Sequence, residues 1–158
     1  MKIPSLDRYD RAILSLLQGN ADLGLNEIAE KIKLSPTPCW RRIQKLEAAG
    51  IIRKRVALLD ANRINLGVTV FVSIRTNQHN AAWLEQFAAA ISNVPEVTES
   101  YRMSGEVDYV LKVVVPDISG YDAVYKKIIS RVELQDVSSA FAMEQLKYTT
   151  ELPLEYAV

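Results

Sequence analysis

A chain of 158 residues, 49% hydrophobic and 24% charged, has apolar material for one substantial core or two small ones and too much to remain disordered. Its 19 basic and 19 acidic residues cancel, and one cysteine with one histidine excludes a disulfide framework and a Cys/His metal cluster. No apolar run reaches bilayer length and the opening MKIPSLDRYD has no hydrophobic signal region, so the expectation is a cytoplasmic protein with no membrane partner, no metal and no cofactor.

The cancellation of charge hides an asymmetry. Residues 1–60 carry 11 Lys and Arg against 7 Asp and Glu, whereas residues 61–158 carry 8 against 12. In the first half the cations cluster at Arg41, Arg42, Lys45, Arg53, Lys54 and Arg55, interrupted only by Glu47. Such a stripe is either a nucleic-acid surface or a solvated face.

In chain order, Leu6, Ile13, Leu14, Leu16 and Leu17 recur at helical spacing behind Asp7, with Asp10 in the first turn where a carboxylate complements the helix dipole. A short second helix is expected in NEIAEKI, with Asn26 as its cap and Ile28, Ala29 and Ile32 on its apolar side. The third opens on SPTP. Ser35 is placed as N-cap, accepting a bond from a free N–H of the first turn, with Pro36 and Pro38 at the first and third helical positions, where proline is tolerated. Gly50 is expected to close that helix in the left-handed conformation. Three helices, the last two joined by a short turn, make a helix-turn-helix unit.

At about 100° per residue, Cys39, Ile43 and Leu46 share one narrow arc of the third helix and face the core, while Thr37, Arg41, Gln44 and Lys45 lie opposite. Arg and Lys match guanine acceptors and Gln matches adenine, so the opposite side has the chemistry of a base-reading face. The two prolines would stiffen the end that enters the major groove; equally, they could only cap a structural helix. Trp40, about 100° from Cys39, is expected on the flank, packed on the neighbouring helix in preference to stacking on DNA. IIRKRVALLD is β-prone and basic at its centre, like the strand after a winged helix-turn-helix. Arg53 and Arg55, with Lys54, would hold phosphates there, or guard a strand edge.

DANRINLG reads as a linker. Beyond it come a strand VTVFVSIRT, a helix AAWLEQFAAAI with Leu84, Phe87, Ala88 and Ile91 on its stripe, and two strands, VTESYRM and VDYVLKVVV, joined at Ser104-Gly105-Glu106. A helix GYDAVYKKIISRV follows, with Tyr121, Val124, Tyr125, Ile128 and Val132 at helical spacing and a Ser119/Asp122 capping box, then a long strand VSSAFAMEQLKYTT. The order β-α-β-β-α-β is that of a ferredoxin-like plait. The fold class is therefore α+β: a winged helix-turn-helix domain at 1–59, a linker at 60–67 and a plait at 68–158. Two helices cover one face of the sheet only, yet Phe71, Val110, Val114, Ala140 and Ala142 load the other face. A second copy of the chain is the economical cover, so a homodimer is expected.

With SPTPCWRRIQKLEAAGII and RMSGEVDYVLKV both in view, the chain from about Leu6 to Leu154 resembles the Lrp/AsnC, or feast/famine, transcriptional regulators. The resemblance implies double-stranded DNA as one partner, an amino acid as effector bound where dimers meet, and dimers assembling further into octamers or open helices. The DNA contacts expected from the face and charge of the third helix and the segment after it are Ser35, Thr37, Arg41, Gln44 and Lys45, with Arg42, Arg53 and Arg55 on phosphates. The hairpin motif carries effector contact onto Ser104, Gly105, Val107 and Asp108, with Gly105 admitting the ligand close to the backbone and the Asp108 carboxylate receiving its α-ammonium group. TPCWRRIQKLE, KRVALLD and SSAFAMEQLKYTTELP are further similar to a subgroup with cysteine-responsive members, which makes cysteine a candidate effector beside leucine-like ones.

No enzyme is expected, and no catalytic residue. His79 sits in a polar turn, Cys39 reads as a small buried hydrophobe, and Glu106 with Asp108 has no supporting cleft. The remaining alternative is an amino-acid-binding or architectural assembly module without a regulated promoter, against which the cationic face of the third helix argues.

Overall fold

The computed structural model of the chain describes residues 5–157. Residues 1–4 and 158, the outer ends of the two expected domains, lie outside the described residues. The elements are α1 (Arg8–Gly19), α2 (Leu25–Lys31), α3 (Pro36–Ala48), β1 (Val68–Arg75), α4 (Ala81–Ser92), β2 (Val97–Arg102), β3 (Tyr109–Val115), α5 (Ile118–Ile129) and β4 (Asp136–Phe141). They fall into two units: the residues up to Leu58 together with those from Lys147 onward, and Leu59–Leu146.

The first unit is the helix-turn-helix. Asp7 caps α1 by accepting the N–H groups of Tyr9 and Asp10, and Asp10 returns a bond to the Asp7 N–H, a reciprocal pair that satisfies donors the helix leaves open. The cap of α2 is Gly24, with Asn26 already inside the helix. Ser35 occupies the cap position of α3 without the expected side-chain bond. Pro38 stands at the third helical position and has no N–H to give, so one of the two donors such a cap uses is missing. Gly50, at φ +71°, closes α3 as expected: Ile51 N–H bonds to Leu46 C=O at 3.0 Å and Gly50 N–H to Glu47 C=O at 2.9 Å. α2 closes with the same double bond, through Lys33 at φ +56°. Ile13, Leu14, Leu17, Ile28, Ala29, Ile32, Cys39, Ile43 and Leu46 form the core.

Beyond α3 the expected strand is absent. Ile51 and Ile52 pack on the core, but residues 53–60 are exposed and take no regular structure until the short 3-10 turn Ala61–Ile64. A strand is stabilised by hydrogen-bonded neighbours, and none pairs with this segment among the described residues. The last residues also depart from expectation, packing with the helix-turn-helix. Gln18 donates to Leu152 C=O and accepts from Leu152 N–H, both at 3.0 Å, Arg11 donates to Ala157 C=O, and Leu154 rests on the helical core.

The second unit is a four-stranded antiparallel sheet in the order β2-β3-β1-β4, with β1 paired to both β3 and β4. Val70, Val72 and Ile74 of β1 and Tyr109, Leu111, Val113 and Val115 of β3 alternate inward and are buried under α4 and α5. The buried stripe of α4 is Trp83, Phe87 and Ala90, continued by Val94; Leu84 and Ala88, expected there, are exposed. Trp83 stacks on Phe87 at 5.1 Å and donates its indole N–H to Glu133 C=O, so the larger side chain sets the rotation of the helix. α5 buries Tyr121, Val124 and Ile128, but its cap is Asp117, which accepts the Gly120 N–H; Ser119 and Asp122 lie within the helix. β4 ends at Phe141, well short of the expected strand, because only the residues opposite β1 find a ladder partner. On the uncovered face Phe71 is 43% exposed, beside half-buried Val110 and Val114.

Candidate nucleic-acid interface and effector hairpin

α3 divides as its spacing predicts. Cys39, Ile43 and Leu46 are buried, and Ser35, Thr37, Arg41, Gln44 and Lys45 are exposed. Burial pushes the Cys39 thiol up from its ordinary value, which keeps it protonated and inert. Arg41, Lys45, Arg53 and Lys54 form no ion pair among the described residues, so their cations stand ready for an anionic partner. Gln44 and Arg55 are both held by Glu47: Gln44 Nε2 donates at 3.0 Å and Arg55 Nη2 at 3.1 Å. Both contacts are exposed and weak enough to be exchanged for a phosphate or a base edge.

Two residues of α3 differ from expectation. Arg42, expected to hold phosphate, instead has its Nη1 2.7 Å from carboxylate oxygens of both Asp7 and Asp10, and its guanidinium stands 5.2 Å from the centre of the Tyr9 ring. It therefore bolts α3 to the start of α1. Asp10 is buried, and the Asp10 and Asp7 carboxylates hold the guanidinium pKa above its ordinary value. The Asp7 carboxyl is held below the usual range, first by the Asp10 backbone N–H, then by the Arg42 contact. Arg42 and Asp10 are 32 positions apart, and no local spacing reveals such a partnership. Trp40, expected to pack, is 49% exposed.

In the plait, Ser104 and Gly105 are exposed at the tip of the β2–β3 hairpin, and Val107 and Asp108 are half-buried at its base. Gly105 adopts φ +133°, a conformation open to glycine and strained for any other residue. Asp108 knits the hairpin to the end of β1: its N–H bonds to Ile74 C=O at 3.0 Å, its C=O accepts the Met103 N–H at 2.8 Å, and its Oδ2 accepts the Thr76 N–H at 2.9 Å. The carboxylate thus already serves a backbone donor, and an ammonium group would share it. Thr76, buried and not anticipated from sequence, completes the corner by accepting the Gln78 N–H. Glu106 is exposed and faces Arg75 at 3.5 Å, so Glu106 and Asp108 are not an acid pair. Cavities of about 460 and 450 Å³ open elsewhere, against α1 with the last residues and between the end of α4 and Arg131. A hairpin tip with one exposed side needs a further wall to enclose a small molecule.

Residues 69–152 match the family model of the Lrp/AsnC ligand binding domain, and residues 6–53 match that of a winged helix-turn-helix DNA-binding domain. The chain is 51% identical to the glutamate uptake regulatory protein of Zymomonas mobilis over 152 residues, 96% of this chain and 93% of that one. Its fold superimposes with a TM-score of 0.94 on the crystal structure of an AsnC family transcriptional regulator from Agrobacterium tumefaciens, 60% identical, covering 97% of this chain and 100% of that one. It superimposes with a TM-score of 0.91 on a transcriptional regulator from Neisseria meningitidis in complex with L-Met, 36% identical, covering 98% of this chain and 100% of that one.

Proposed function

The chain belongs to the Lrp/AsnC family of transcriptional regulators, and from that premise we propose that it binds DNA through the exposed side of α3 and adjusts that binding to a small amino acid held at the β2–β3 hairpin. It is a DNA-binding regulator with an amino-acid-binding domain, and not an enzyme. The observation that carries the proposal is the division of α3, whose one side is locked into the core by Cys39, Ile43 and Leu46 while the other presents Thr37, Arg41 and Lys45. Thr37, Arg41, Gln44 and Lys45 read base edges, and Arg53 and Arg55 hold phosphates. Arg42 is left out of this set because Asp7 and Asp10 already claim it.

The effector is an amino acid with a small or medium side chain. Cysteine and leucine-like amino acids are the candidates; the resemblance of TPCWRRIQKLE and SSAFAMEQLKYTTELP to the cysteine-responsive subgroup supports the first, and the L-Met bound by the Neisseria regulator supports a side chain of leucine size. Ser104, Gly105, Val107 and Asp108 form one wall. A second copy, docked on the face bearing Phe71, Val110 and Val114, makes the homodimer, and further assembly to an octamer brings the second wall. Effector and DNA then report on each other with equal coupling in both directions.

The test is a titration of a duplex selected by the protein from a random pool. Arg41→Ala is expected to weaken the selected duplex roughly 5- to 150-fold, the cost of one good base contact, and to narrow its advantage over random DNA. Equal affinities for both duplexes in wild type and variant would remove α3 from the proposal. For the effector, thermal unfolding against each amino acid, with Asp108→Ala alongside, should find one that stabilises only the wild type, by about 2.7 kcal/mol at one hundred times its dissociation constant. No stabilisation by any amino acid overturns the sensor.

A further inference from the structure

The two tryptophans of the chain have opposite surroundings. Trp83 is 4% exposed, stacked on Phe87, and gives its indole N–H to Glu133 C=O. Trp40 is 49% exposed, and its indole N–H has no acceptor among the described residues. Half an indole in water is costly in apolar surface, and the indole N–H usually finds a partner where the residue has a structural task. Trp40 also sits on the element that presents bare cations: Arg41 follows it directly and Lys45 lies five residues on, neither in an ion pair among the described residues. Its neighbours on the helix surface are Thr37, three residues before, and Gln44, four after, both exposed.

We infer that Trp40 is a specificity-determining residue, whose indole packs on the C5-methyl edge of a thymine in the major groove beside the bases read by Thr37, Arg41 and Gln44. This role for Trp40 rests on the proposed α3 reading face and extends it. The flanking cations fix the occupant as a polyanion, and among base edges in the major groove the thymine methyl is the apolar one. Polar side chains alone distinguish thymine poorly, because its O4 acceptor resembles those of guanine. An indole at this position adds a term that depends on the methyl.

Replacing each thymine of the selected duplex singly by deoxyuracil removes the methyl and nothing else. The wild type is expected to lose about fourfold in affinity at one thymine per half-site, the worth of one buried carbon. Trp40→Ala should be indifferent to that same replacement while remaining sensitive to Arg41→Ala. Emission should change with DNA in the wild type and stay constant in Trp40→Phe, where buried Trp83 is the remaining fluorophore. If Trp40→Ala responds to every deoxyuracil as the wild type does, the inference falls, whereas a persisting Arg41 effect leaves the reading face standing. If the wild type binds no duplex, the reading face falls and this inference with it. If Trp40→Ala changes the sedimentation of the free protein and leaves DNA binding unaltered, the indole belongs to an interface between copies and the inference is overturned.

Discussion

The proposed reading face of α3 and the proposed effector site at the β2–β3 hairpin both lie at an exposed edge, but they are finished to different degrees. On α3 three buried side chains lock one side, and on the opposite side Arg41 and Lys45 form no ion pair among the described residues. In the proposed complex a duplex would supply the complementary surface, so one chain could build that half of the contact. At the hairpin Asp108 already holds the Thr76 N–H, and Phe71 is 43% exposed on the open face of the sheet. Enclosing a small molecule takes walls on several sides, and one copy supplies one. A binding function met by a large external partner can be complete within a protomer, whereas a sensing function has reason to be shared between copies.

The strongest way to break this contrast is to spoil the open face. Phe71→Glu puts a carboxylate where the proposed second copy packs, and burying an unpaired charge costs several kcal/mol. Analytical sedimentation should then show loss of the larger species. Amino-acid stabilisation should disappear with it, while the helix-turn-helix keeps its fold and non-specific affinity for DNA. A Phe71→Glu protein that sediments and binds effector like the wild type would mean that the hairpin is completed within one chain.

A smaller effect separates two adjacent arginines. Arg42→Ala strands the buried Asp10 carboxylate and should cost about 2–3 kcal/mol in urea unfolding, toward the low end for a broken ion pair because the Arg42 side chain is 30% exposed. Arg41→Ala should change stability by less than about 0.5 kcal/mol and act on DNA instead. The acid limb carries the same information. Asp7 binds its proton less readily when folded, so its contribution is present above the ordinary carboxylate range and is lost as pH falls through the lowered folded value. Asp7→Asn should therefore flatten the loss of stability on acidification, measured by unfolding at a series of pH values.

What sequence reveals and what it hides follow from the reach of each interaction. The three helices of the first unit and the plait order were legible because periodicity is local: Val70, Val72 and Ile74 alternate, and Cys39, Ile43 and Leu46 share one arc. The split of α3 was legible for the same reason. The strand expected at 53–60 and the length of β4 were not, since those residues and the ones after Phe141 have strand composition but no ladder partner among the described residues, and partners are long-range facts. The rotation of α4 turned on Trp83 finding Glu133 C=O 50 positions away. Arg42 looked like its neighbour until Asp7 and Asp10 were seen beside it.

The smallest prediction concerns the two helix ends that frame the reading helix. α2 and α3 close with the same pair of bonds, and both need one residue in the left-handed conformation; Gly50 meets that requirement freely, whereas Lys33 does so at φ +56° against the clash of its Cβ with the following carbonyl oxygen. Lys33→Gly relieves a penalty of about 1–2 kcal/mol and gives part of it back through the greater freedom of glycine in the unfolded chain, for a net gain of about 0.5–1 kcal/mol. Gly50→Ala imposes the penalty that Lys33 already bears and should lose about 1 kcal/mol, since the space around Gly50 is open and conformation alone is at issue. Opposite signs for these two substitutions in urea unfolding would show that the turn between α2 and α3 is strained by its own sequence. Equal and small effects would mean that the Lys33 side chain recovers in contacts what its backbone loses.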